Sequence, residues 1–187
     1  MLKDLVKANR SYRRFHENVP VDANILRKLV DLARLSASAR NVQPLKYILA
    51  YDPEKNAAIF PHLAWAGDLP DWPGPAEGER PAAYIIILHD TEISQSPGCD
   101  HGVALQSITL GAMEQGFGSC PIGSINRKEL RKTLAIPQRY EILLAIALGR
   151  PRETVVIDSV TEGSIKYWRD EQDRHHVPKR SLDEIIL

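Results

Sequence analysis

A three-layer domain of mixed helix and strand, α+β or α/β in class, is what the hydrophobic pattern of this chain predicts. Three observations carry the prediction. Helix signals and strand signals alternate along the chain instead of clustering. Residues 82–88 and 142–148 are unbroken apolar runs of seven, too short for a bilayer and suited to strands covered on both faces. Residues 25–35 place Ile25, Leu26, Leu29, Val30, Leu32, Ala33 and Leu35 at near-helical period.

Each element follows in order. Residues 2–8 read as a short amphipathic helix. Asp22 suits an N-cap, so a helix runs from there to about Ser36. A polar loop, 38–44, comes next, and Pro44 should hold Gln43 extended. Residues 46–51 read as a strand and 53–60 as a short helix. Residues 61–81 are rich in Pro, Gly and Trp and predict a long irregular loop. A buried strand at 83–88 precedes a helix from His101 to about Gln115, with Asp100 as its expected cap. Gly116 and Gly118 stop that helix. A short strand at 119–122, a helix at 127–134 opened by Ser124 or Asn126, and a strand at 141–148 complete the core. Beyond Pro151 the chain turns polar, without a sustained apolar period. This arm, about 152–187, should lie over another surface or wrap a partner. Ser181 and Glu184 fit a capping box before Ile185, Ile186 and Leu187.

Totals narrow the function. The 187 residues suit one domain, and 24 basic side chains offset 24 acidic ones. A zero net charge argues against a nucleic-acid binder held by a general basic field. Two cysteines make no disulfide framework. The N-terminus lacks a signal-peptide pattern, so the expected address is cytoplasmic, with no membrane partner.

Three remote segments carry chemistry. Arg10, Arg13 and Arg14 flank Ser11 and could grip a phosphate bidentately, or form a solvated basic turn after a helix. Ser38, Asn41 and Gln43 offer both donors and acceptors, which a heterocycle with imide and carbonyl edges requires; they are also common turn formers. Lys179 and Arg180 could complete a phosphate clamp or stand exposed. Residues 116–123 fail as a dinucleotide loop, because Pro121 stands where a third glycine is needed and a helix precedes the segment. They can still serve as a backbone wall against a flat ligand. His175-His176 and Cys99-Asp100-His101 lack metal-ligand spacing, so no metal is expected. Cys120 reads as a small buried apolar residue.

In order and spacing these motifs resemble the FMN-dependent nitroreductase family. Arg10-Ser11-Tyr12-Arg13-Arg14-Phe15 is similar to its N-terminal flavin signature. Ser38-x-x-Asn41-x-Gln43-Pro44 is similar to its second element, 116–123 to the segment beside the isoalloxazine, 148–151 to its late strand end, and Lys179-Arg180 to its phosphate contact. The resemblance implies a three-layer α+β fold: a mixed, largely antiparallel sheet between helices, with a C-terminal arm exchanged in a homodimer. It implies residues 1–187 as one FMN-binding domain, with FMN at the subunit interface. NAD(P)H would be the transient reductant, and a nitroaromatic, quinone or similar small acceptor would be reduced by ping-pong turnover. Arg10 and Ser11 would hold ribityl and ring edges, Arg13 the pyrimidine side, and Lys179 and Arg180 the phosphate. Asn41 and Gln43 would meet the polar rim, with Ser38 acting across the dimer. Pro121, Ile122, Gly123 and Ser124 would line one face. No side chain is expected as general acid or base. A flavin-binding or flavin-storage module without turnover is the alternative.

Overall fold

The structure, a computed structural model, describes all of residues 1–187. Its centre is β3 (Ala83–Asp90), buried along its whole length. Side chains alternate across a strand. Tyr84, Ile86 and Leu88 therefore enter one core cluster with Phe15, Ile59 and Leu130. Ala83, Ile85 and Ile87 enter a second with Leu26, Leu29, Ala104 and Ile108. The first cluster lies beneath α3 (Pro53–Ile59) and α5 (Arg127–Thr133), the second beneath α2 (Ala23–Leu35) and α4 (Asp100–Glu114). These are the three layers that the apolar runs require.

In the sheet, β2 (Leu45–Ala50) pairs with β3, and β3 with β5 (Tyr140–Pro151). The other edge of β5 takes β4 (Gly118–Ile122) and, at its end, the two-residue β1 (Phe15–His16). Every pairing in this sheet is antiparallel. The parallel component is confined to the arm and to one Ser11–Ser119 bridge. No helix is long and apolar enough to cross a membrane.

Local chemistry explains most boundaries. Asp22 caps α2 by accepting from the Ile25 amide at 2.9 Å, and Asn126 caps α5. Gly116, at φ +78°, closes α4, with the Phe117 amide returning to the Ala112 carbonyl at 2.9 Å. Ser181 and Glu184 form the capping box of α6 (Leu182–Ile185).

Two expectations change. Asp100 does not cap α4; Cys99 holds that position, and Asp100 is a buried residue of the first turn. Gln43 is not extended; its φ is +54°, held by a 2.8 Å bond from its amide to the Ser38 hydroxyl. The arm is regular despite its polar sequence, although no buried apolar cluster forms within it. It folds into a small sheet in which β8 (His175–Lys179) pairs with β6 (Val155–Ser159) in parallel and with β7 (Trp168–Arg169) in antiparallel. Polar and aromatic contacts hold it: Trp168 stacks on His176 at 4.2 Å, and Asp158 and Asp170 bracket the His176 ring at 2.6 and 3.1 Å. Through Lys179 this arm lies on its own chain.

Candidate functional site

The cationic segment is fixed by backbone approach. Tyr12 donates its amide to the Ser119 carbonyl at 2.9 Å, and Phe15 and His16 pair with the end of β5. Glycines face both aromatic rings. A Cβ on Gly118 would stand 2.7 Å from Tyr12, and one on Gly149 would stand 2.9 Å from Phe15. The rings thus pack against the glycine backbone of the strands.

The three arginines have different fates. Arg14 is bound by Glu79, at 2.7 and 2.6 Å, and also pairs with Asp173. That bidentate contact raises the Arg14 guanidinium and lowers the Glu79 carboxyl. No carboxylate lies within 4.0 Å of the side-chain nitrogens of Arg10, Arg13 or Lys179; the ion pairs of the chain involve other cations. All three line one cleft of about 340 Å³ with Ser11, Pro121 and Thr109. A smaller depression of about 170 Å³ adjoins it, sharing Arg13, Pro121 and Tyr167. Ile122, Gly123 and Ser124 line this second space, opposite Ala64 and Trp65 of the 61–81 loop. That loop is tied down by a 2.9 Å bond from the Ala64 amide to the Ser124 carbonyl. Uncompensated cations, a hydroxyl and strand-end backbone make an anion-accepting cleft with room for a flat group beside it. This donor set fits a phosphorylated heterocycle.

Not every expected residue is there. Arg180 is outside the cleft, 3.6 Å from Glu184. Ser38 and Gln43 line a different cavity, of about 170 Å³, with Asp100 and Ala104; Asn41 is exposed on the same loop. The Ser38 hydroxyl donates to Asp100 at 2.6 Å, and the Ala39 amide donates to the same carboxylate at 3.0 Å. Helix α4 separates the two regions. Asp100 and Ala104 line the loop cavity, whereas Leu105, Gln106 and Thr109 line the cationic cleft. At about 100° per residue, the second group centres roughly 180° around the helix from Asp100. Within one chain, Arg10 and Gln43 therefore do not converge.

The structure adds residues that the motifs omit. His175 and Tyr167 of the arm line the cationic cleft. Arg13 donates from Nη1 to His175 Nε2 at 2.9 Å, and its guanidinium lies 4.5 Å from the Tyr167 ring centroid. Glu153, with a side chain 1% exposed, accepts from the Arg13 amide, from the Arg14 amide at 3.2 Å, and from Arg169 at 3.0 Å. Only the His175-His176 pair was noticeable in the sequence, where it was set aside for lacking metal-ligand spacing. No three His, Cys, Asp or Glu side chains converge as a metal set. Burial pushes the Cys120 thiol up to about 11, which keeps it from being a thiolate nucleophile near neutrality.

Fold and cleft together define an α+β protein with a cation-lined cleft beside the edge of an antiparallel sheet. The chain belongs to the nitroreductase family, whose sequence model matches residues 6–150. The NAD(P)H FMN reductase of Bacillus subtilis (strain 168) is 25% identical over 169 residues, covering 81% of this chain and 68% of that one. An FMN-dependent nitroreductase from Clostridium difficile R20291 superposes with a TM-score of 0.64 at 25% identity, over 80% of this chain and 87% of that one. A nitroreductase family protein from Streptococcus pneumoniae TIGR4 has the same fold along its whole length. Its TM-score is 0.71 at 20% identity, covering 100% of this chain and 99% of that one.

Proposed function

We propose that this chain is an FMN-dependent oxidoreductase that takes reducing equivalents from NAD(P)H and passes them to a small acceptor. The observation that carries the reading is the set of three carboxylate-free cations, Arg10, Arg13 and Lys179, around one cleft. Family membership supports it. FMN, when bound, supplies the two-electron chemistry. The residues supply position and charge. Lys179 and Arg10 attract the phosphate-bearing tail, and Ser11 adds a hydroxyl. Arg13 would supply a fixed positive charge that favours a reduced, anionic flavin over the oxidised one. Pro121 to Ser124 wall one side, and Trp65 and Tyr167 limit the acceptor to small molecules. No side chain in the cleft is needed as acid or base, so solvent or substrate provides the proton. The expected acceptors are nitroaromatics or quinones, handled by ping-pong turnover.

The working unit in this proposal is a homodimer of single-domain subunits. The division of Arg10 and Gln43 by α4 supports it: a second copy can bring its Ser38–Gln43 loop to the first copy's cations. The exposed apolar tail, Leu182, Ile185, Ile186 and Leu187, supports it too, since it is without cover on its own chain.

The test is the visible spectrum of the purified protein after FMN loading, followed by anaerobic addition of NADH and then NADPH. A yellow protein bleached by either nicotinamide and reoxidised by a quinone supports the proposal. A protein that binds FMN but is not bleached would be a flavin-storage module. One that does not bind FMN removes both readings.

A further inference from the structure

Arg13 is held by an unusual partner. The half-buried arginines on either side of it meet carboxylates, Arg14 meeting Glu79 and Arg169 meeting Glu153. Arg13 meets an imidazole. His175 is fully buried, its Nε2 lies 2.9 Å from Arg13 Nη1, and its ring lies 5.2 Å from that of Tyr167. A guanidinium can only donate, so Nε2 is the acceptor. In neutral imidazole the proton then sits on Nδ1, and that atom is buried without a hydrogen-bond partner. Burial, with Arg13, Arg169 and His176 nearby, pushes His175 down to about 4, so the ring is neutral at ordinary pH.

A carboxylate in this place would orient Arg13 equally well and cancel its charge. Imidazole orients without cancelling. His175 also lines the cleft, beside Ser11 and Lys179. We infer that His175 is a positioning residue which aims Arg13 into the cleft with its charge uncompensated, so that the arm sets the reduction potential of the bound flavin. This rests on the FMN reading proposed above. The same contact makes the potential depend on the arm being docked, because His175 reaches Arg13 only through the pairing of β8 with β6 and β7.

Three substitutions separate this from a packing role. His175→Gln places an amide oxygen near the Nε2 position and keeps a neutral acceptor. His175→Glu has similar reach and adds a negative charge. His175→Leu keeps bulk and removes the acceptor. FMN dissociation constants and midpoint potentials are measured for each, with folding monitored by circular dichroism. His175→Gln should stay within twofold of wild type in FMN affinity, with an unchanged potential. His175→Glu should bind reduced FMN at least tenfold less well relative to oxidised FMN, a fall of about 30 mV for a two-electron couple. His175→Leu should weaken FMN binding at least fivefold. Equal potentials in folded Gln and Glu variants that retain FMN would overturn the inference while leaving the FMN reading intact. Failure of the wild-type protein to bind FMN would overturn both. Should the Glu variant not fold, a wild-type potential in a folded, FMN-binding Leu variant would overturn it equally.

Discussion

Removing the Glu153 carboxylate should loosen the arm more than any other single surface-distant change. Its side chain is 1% exposed and faces three donors: the amides of Arg13 and Arg14, and Arg169 Nη2 at 3.0 Å. Hydrogen bonds to a charged group contribute about 1.5–3 kcal/mol each. Stripping one partner from a buried pair costs roughly 3–5 kcal/mol, because the other charge stays unpaired. Here Arg169 would keep only a loose contact to Asp173, at 3.8 Å, while standing near Arg13 and Arg14. Glu153→Ala should therefore lose about 3–5 kcal/mol, or roughly 6–20 °C in Tm for a chain of this size. Glu153→Gln keeps acceptors for both amides but turns neutral toward Arg169, and should lose about half as much. Urea unfolding followed by circular dichroism gives the stability. Limited proteolysis reports whether residues 155–179 have detached. A double-mutant cycle with Arg169→Ala isolates the ion pair from the two amide bonds. An Ala variant within 1 kcal/mol of wild type, with an equally protected arm, would refute the reasoning.

Three further outcomes are expected. Gly149→Ala puts a Cβ 2.9–3.0 Å from Phe15 and should cost about 1–3 kcal/mol by displacing that ring, read as a lowered Tm. Asp100→Ala leaves the Ser38 hydroxyl and Ala39 amide without their acceptor and should raise hydrogen exchange at the Ala39 and Gln43 amides at least tenfold, whereas Asp100→Asn should raise it less. His176 is raised by its bonds to Asp170 and Asp158, so its stabilisation is complete below pH 6.5 and is lost as pH rises through the raised value. His175 is pushed down to about 4, so stability falls as pH drops from 6.5 toward 4. The arm should accordingly be tightest near pH 6.5, which pH-dependent proteolysis measures; a monotonic profile would contradict the pairing.

Much of the fold was readable because it follows from periodicity. The β3 run and the α2 stripe are dictated by which side chains must be dry, and Asp22, Asn126 and Gly116 act through bonds to residues within a few positions. Asp100 shows where such reading stops. An aspartate before a helix has the same signature whether it caps or is buried, and here its partners are Ser38 and Ala39, about sixty residues away. The regularity of the arm was hidden for a related reason. Its order comes from imidazole stacking, Asp–His bonds and Glu153, none of which leaves an apolar period. The site divides similarly. Arg10, Ser11, Arg13 and Lys179 were legible as cations and hydroxyls near known motif positions, and the cleft unites them. His175, Tyr167 and Glu153 were not, because their meaning depends on a strand returning 140 or more residues later. Gln43 falls on the far side of α4 from the cleft, a separation that no local pattern encodes.

The position of α4 between the cationic cleft and the Ser38–Gln43 loop has a genetic consequence. If two copies complete each pocket, a chain disabled at Arg13 and a chain disabled at Gln43 carry complementary lesions. Each is inert when self-paired. Co-expressed and randomly assorted, they would regenerate one sound pocket in every mixed pair, about one quarter of all pockets. Loss-of-function alleles at these two places should rescue each other, whereas two alleles on the same side of the helix should not.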